Sequence, residues 1–112
     1  MIEGRYFKAI QDLVHELALG NYDGLVEADR VVSVTASEVR EAVESYPDQI
    51  MDLPEEAAAM ADVVEHDFVP DTTIVYIPIW TATEGRSDLT LQVWIEETDG
   101  KTSVRMYNLH VM

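Results

Sequence analysis

The sequence predicts an α+β fold, with N-terminal helices packed on a three- to four-stranded antiparallel meander sheet. Three observations predict it. Apolar residues recur at helical spacing through the first half of the chain, as in Tyr6, Phe7, Ile10, Leu13, Val14 and Leu17. From Asp62 onward the period changes to two, the alternation of a strand. Thr98-Asp99-Gly100-Lys101 then separates two such runs with the residue types of a hairpin turn. Helices followed by strands, in that order, predict helices covering one face of an antiparallel sheet.

The first helix sets Lys8, Gln11, Asp12 and Glu16 opposite its apolar stripe and stops at Gly20, which accepts the left-handed conformation that closes a helix. Asn21 is placed to cap a short second helix, Tyr22 to Ala28, with Leu25 and Val26 facing inward. Thr35-Ala36-Ser37-Glu38 has the spacing of a capping box, and the helix it opens shows Val39, Ala42, Val43 and Tyr46 on one side. Pro47 ends that helix, since proline disfavours helical geometry at the residue before it and lacks an N–H. Pro54, read as a first helical residue before Glu55 and Glu56, opens one more short helix to about Ala61.

Val64, His66 and Phe68 alternate weakly and predict a short edge strand. Thr72 to Thr81 is apolar on both faces, with Ile74, Tyr76 and Trp80 on one and Val75, Ile77 and Ile79 on the other. Pro78 inside that run cannot donate to a ladder, so it must border an edge or a bulge. Leu89, Leu91, Val93 and Ile95 alternate with Thr90, Gln92, Trp94 and Glu96 as a half-buried strand. The last strand runs from about Thr102 to Val111.

At 112 residues the chain is expected to form one domain, residues 1–112, with a core large enough to need no staple. An apolar content of 47% is too high for disorder. With no cysteine, disulfides, thiolate catalysis and sulfur-ligated zinc are excluded, and a cytoplasmic location is expected. The first residues have no basic flank leading into an apolar run, so no secretory signal is expected. Asp and Glu number 22 against seven Lys and Arg, a net charge of −15. Such a field repels nucleic acid and anionic membranes and attracts cationic partners. Solubility, or a salty habitat, is the alternative reason for it.

Trp80-Thr81-Ala82-Thr83-Glu84-Gly85-Arg86-Ser87-Asp88-Leu89-Thr90-Leu91 joins two strands through a charged, glycine-centred turn. The block resembles the signature W-T-x-E-E-G-R-S-D-L-T-L of an uncharacterised family of small bacterial domains, whose last strand ends in L-H-V, as Leu109-His110-Val111 does here. Thr83 departs from it, standing where the signature is acidic. The resemblance implies an architecture and no activity. Separately, the element order is similar to a trimmed cystatin-like or NTF2-like cone, a likeness that rests on no motif.

Candidate binding residues follow from the turn and from the aromatics. Arg86, flanked by Glu84 and Asp88 at two-residue spacing, is placed to bridge both carboxylates, either stapling the turn or presenting a recognition loop. Trp94 falls between Gln92 and Glu96 on the polar face of its strand. In a simple hairpin register Trp80 lies beside it, with Arg105 or Tyr107 alongside. A face bearing Trp, Tyr and Arg has the composition of an interface, for a basic protein or for a homodimer. Tyr76, Trp80, Asp62, His66 and His110 are the alternative set, which in an NTF2-like cone would line a small-molecule pocket of isomerase or dehydratase type.

No metal site is expected, because His15, His66 and His110 lack ligand spacing. Phosphate-loop, dinucleotide and nucleophile-elbow motifs are lacking, so no cofactor and no catalytic residues are assigned. Small acidic α+β domains of this kind resemble antidote proteins that neutralise basic toxins, although no immunity motif is present. The expectation is therefore a soluble, non-catalytic protein-binding module.

Overall fold

The computed structural model describes residues 2–32, 35–65 and 71–111. Helix α1, Gly4–Leu19, buries Phe7, Ile10, Leu13, Val14 and Leu17. Its end is closed by Gly20 at φ 78°, where the Gly20 N–H donates to Leu17 O and the Asn21 N–H to Glu16 O, at 3.2 and 3.0 Å. Helix α2, Tyr22–Glu27, buries only Tyr22 and Leu25. Val26 does not face inward as expected but is 36% exposed, because a six-residue helix has room for one i, i+3 contact stripe and Val26 falls beside it. Asn21 holds the cap position without a side-chain cap, and its amide donates instead to Glu16 Oε2 at 2.6 Å.

Helix α3, Ala36–Glu44, opens with the capping box in full. Thr35 Oγ1 accepts from the Glu38 N–H, and Glu38 Oε1 accepts from the Thr35 N–H, both at 3.2 Å. The next element is a 3-10 helix, Glu55–Met60, and Pro54 is its cap rather than its first residue. In that tight turn the Ala57 N–H donates to Pro54 O at 3.0 Å, so Pro54 must stand outside with an extended backbone.

Strands β1, Asp62–Glu65, β2, Thr72–Thr81, β3, Gly85–Thr98, and β4, Lys101–Val111, form one antiparallel sheet in the order β1-β2-β3-β4. His66 and Phe68, expected to continue the edge strand, lie outside the described residues. The β3–β4 turn has Asp99 at φ 51° and Gly100 at φ 75°, the left-handed pair whose twist matches a hairpin. Pro78 sits beside a register shift in the β2–β3 ladder, and β1 stops short of it, pairing no further than Tyr76. Its missing N–H therefore leaves no gap in a ladder. A second shift, between Gln92 and Val93, makes Tyr107 the extra residue of β4.

The sheet has two unlike faces. Val75, Ile77, Ile79, Leu89, Leu91, Val93, Ile95, Val104, Met106 and Leu109 form a single buried cluster with the α1 stripe, Leu25, Val39 and Ala57. Arg30 ties this layer together, donating from Nε to Val104 O at 3.1 Å and from Nη2 to Ala9 O at 3.0 Å. Ile74, Tyr76 and Trp94 point the other way and take no part in that cluster.

Replacing Leu13, which is fully buried, by alanine removes contacts at the centre of the helix–sheet interface. The expected loss is about 2–5 kcal/mol in equilibrium denaturant unfolding, against about 1 kcal/mol for Thr35→Ala at the cap.

Candidate functional site

The turn of the signature block is positioned from outside the hairpin. The segment before the 3-10 helix runs against the end of β2, pairing Ile50 with Thr81. The Met51 N–H donates to Trp80 O at 2.8 Å, and the Ala82 N–H to Gln49 O at 2.9 Å. Asp48 completes this clamp. Its carboxylate accepts from the Thr83 N–H at 2.9 Å, the Thr83 hydroxyl at 3.1 Å and the Gln49 N–H at 2.9 Å. The Thr81 hydroxyl beside it, and then these backbone and hydroxyl donors, hold the Asp48 carboxyl down to about 2. Thr83 thus supplies two donors to Asp48, its backbone N–H and its hydroxyl.

Arg86 does not bridge Glu84 and Asp88. Glu84 sits in the turn before Gly85, which takes φ +71°, and accepts a hydrogen bond from the Tyr46 hydroxyl at 2.6 Å. That bond pushes the Tyr46 phenol above its ordinary range. Arg86 pairs across the sheet with Trp80, and its Nη1 lies 3.0 Å from Met60 Sδ. Asp88 is exposed. Between them Ser87 turns inward, donating to Ile79 O at 2.7 Å and accepting from the Leu89 N–H at 3.2 Å. This buried hydroxyl occupies the register shift next to Pro78 and separates the charges that sequence spacing had placed together.

The two tryptophans are not neighbours. Trp94 pairs with Ile74 and Trp80 with Arg86, because β2 and β3 run antiparallel with Trp80 near the turn. The two positions are six residues apart along β2, about 20 Å of strand. Trp80 packs against the core cluster, while Trp94 stacks flat on Tyr107 with ring centroids 4.6 Å apart. Arg105, opposite Trp94, is paired with Glu96 and lies 3.6 Å from Asp29.

The outer face is thus laid out in rows. One row runs Val64, Ile74, Trp94, Arg105, the next Asp62, Tyr76, Gln92, Asn108, and a third Pro78, Thr90, His110. Val64 is 43% and Tyr107 38% exposed, and Ile74, Tyr76, Trp94 and His110 are half-buried. Among the described residues, Tyr76 and His110 are half-buried on the sheet face opposite α1. His66, the other histidine of the pocket reading, lies outside the described residues.

A shallow groove of about 460 Å³ opens elsewhere, between the start of α1 and the β3–β4 hairpin. Arg5, Tyr6 and Arg30 line it. Arg5 donates to Glu97 Oε1 at 2.8 Å and the Tyr6 hydroxyl also bonds Glu97, which pushes the Tyr6 phenol up to about 12. Among the described residues no group of three His, Asp or Glu side chains converges as metal ligands would.

Residues 14–112, which include all four strands and the whole signature turn, match one family. The chain belongs to it: Domain of unknown function (DUF7668). No curated protein and no solved structure matches the chain. The family's description assigns no activity. No helix among the described residues is long and apolar enough to cross a membrane.

Asp48 and Tyr46 were not singled out by sequence pattern. The available signal was Pro47-Asp48, a proline and an Asx residue at a helix exit, where a short carboxylate bonds nearby backbone. Because the folded-state value of Asp48 lies below the ordinary 3.8, its contribution to stability is present above that value and lost as pH falls toward about 2. Thermal unfolding should show Asp48→Ala with a lower Tm than the parent at neutral pH. The difference should shrink steadily between pH 3.8 and about 2.

Proposed function

We propose that this domain is a non-catalytic protein-binding module that takes a basic protein on the open face of its sheet, in the manner of an immunity protein. The observation that carries this reading is the outer face itself. Val64, Ile74, Tyr76, Trp94 and Tyr107 form an aromatic and aliphatic surface outside the core cluster. Interfaces are enriched in such residues, and aromatic anchors dominate their energetics. Acids border it, with Asp62 in the Tyr76 row and Asp88 exposed near the turn.

The charge supports a cationic partner. The net charge of −15 already counts all seven cations; of these, Arg5 and Arg105 are paired with carboxylates and Arg30 is spent on backbone carbonyls. Long-range attraction of a basic protein speeds encounter and falls with salt, as the Debye length shortens below about 8 Å above physiological ionic strength. A second copy on the same face is the competing occupant, opposed by −15 on each chain. Within this reading Arg86 and Asp88 contribute to the rim, Glu84 holds the turn through Tyr46, and Trp80 supports the face from beneath.

The groove between α1 and the β3–β4 hairpin favours a second reading, a small-molecule binder, since its volume lies in the range of ligand sites. The two readings separate by experiment. Capture from the native lysate at moderate salt should recover one basic protein, released at high salt. Val64→Asp and Tyr107→Asp should each abolish capture, while Leu19→Asp at the far end of α1 should not. Recovery of the domain alone, with a Tm raised by small-molecule ligands through mass action, would overturn the protein-binding reading.

A further inference from the structure

We infer that β1 is a docking edge for an extended segment of the partner, which adds to the sheet as a fifth strand through a basic–apolar–apolar–basic stretch. The inference rests on the protein-binding reading and names the partner's recognised element.

The chain covers part of each of its other sheet edges. Along β4, the Val32 N–H donates to Met106 O at 2.8 Å and the Met106 N–H to Arg30 O at 2.7 Å, with Val31 bridging Met106 in parallel. At the far end of β2, beyond the reach of β1, residues 49–51 pair with residues 80–82. Among the described residues no such bridge lies along β1, which stands first in the strand order. All four of its side chains are exposed, including both valines at 43%. An edge strand presents a row of backbone donors and acceptors on its outer side, the requirement for strand addition.

The side chains on that edge choose the occupant. Asp62 and Glu65 flank Val63 and Val64. The antiparallel self-pairing of two β1 strands, centred between the valines, would set Asp62 directly opposite a second copy's Glu65, twice. Like charges directly opposed are destabilising, and the two chains already repel through their net charge. An incoming strand with Lys or Arg opposite each acid, and β-branched residues opposite each valine, meets no such penalty. That pattern reads the same in both directions, so the selection does not depend on whether the added strand is parallel or antiparallel. On the outer face its apolar residue opposite Val64 would extend the row Val64, Ile74, Trp94. The strand would thereby place the body of the partner over the surface assigned above.

The test is amide-resolved NMR of the full chain, titrated with a short peptide centred on Arg-Val-Ile-Arg. The expected result is saturable shifts confined to Asp62–Glu65 and the paired stretch of β2. Affinity should fall about tenfold or more in D62K/E65K, since each reversal replaces an attraction with a repulsion. A peptide with N-methylated Val and Ile keeps its side chains but loses main-chain donors, and should not bind. Equal binding of the N-methylated peptide, or shifts spread over the acidic surface, would overturn strand addition in favour of charge attraction alone. A basic partner captured equally well by D62K/E65K and by the parent would overturn this inference while leaving the protein-binding reading intact.

Discussion

The arrangement depends on one contact layer, the apolar stripe of α1 laid across the inner face of the sheet. Ile10, Leu13 and Val14 on the helix and Val75, Ile77, Ile79, Leu91 and Val93 on the strands are fully buried against one another. Full burial of each such side chain contributes about 1.5–3 kcal/mol, so this layer supplies the cohesion of a fold whose sequence has no cysteine for a disulfide. It also decides what is left over. A strand apolar on both faces can satisfy only one of them with α1, and Ile74 and Tyr76 on the other side of β2 lie outside that cluster.

Electrostatics follows from the same economy of parts. The few cations serve as internal ties: Arg30 to the backbone of α1 and β4, Arg105 to Glu96, and Arg5 to Glu97. The acids are left to face solvent. Where a carboxylate is structural, as at Asp48, neutral donors stabilise it rather than a cation.

The fold was legible in the sequence because its elements obey simple periods. The α1 stripe, the capping box at Thr35, the bounds of β2 and the Asp99-Gly100 turn each depend on residues close in the chain. The site was less legible, for reasons that are three-dimensional. The spacing of Glu84, Arg86 and Asp88 suggests one charge cluster, but with a buried Ser87 at a register shift between them Glu84 meets Tyr46, Arg86 lies beside Met60 and Asp88 is exposed. Trp80 and Trp94 share a parity and a hairpin, yet an antiparallel register parts them by the length of the strand. Tyr46 and Asp48 act on a turn some 35 positions away in the chain, a contact no local pattern encodes.

Trp94, in the middle of the outer face, lies outside the cohesive core cluster. Equilibrium denaturation of Trp94→Ala tests this most directly. A tryptophan belonging to the core would cost about 3–5 kcal/mol when truncated. The expected result is a cooperative transition with a loss well below that range and an unchanged denaturant slope. A loss within it, or a chain that no longer folds, would show that Trp94 is part of the core and that the outer face is not a binding surface.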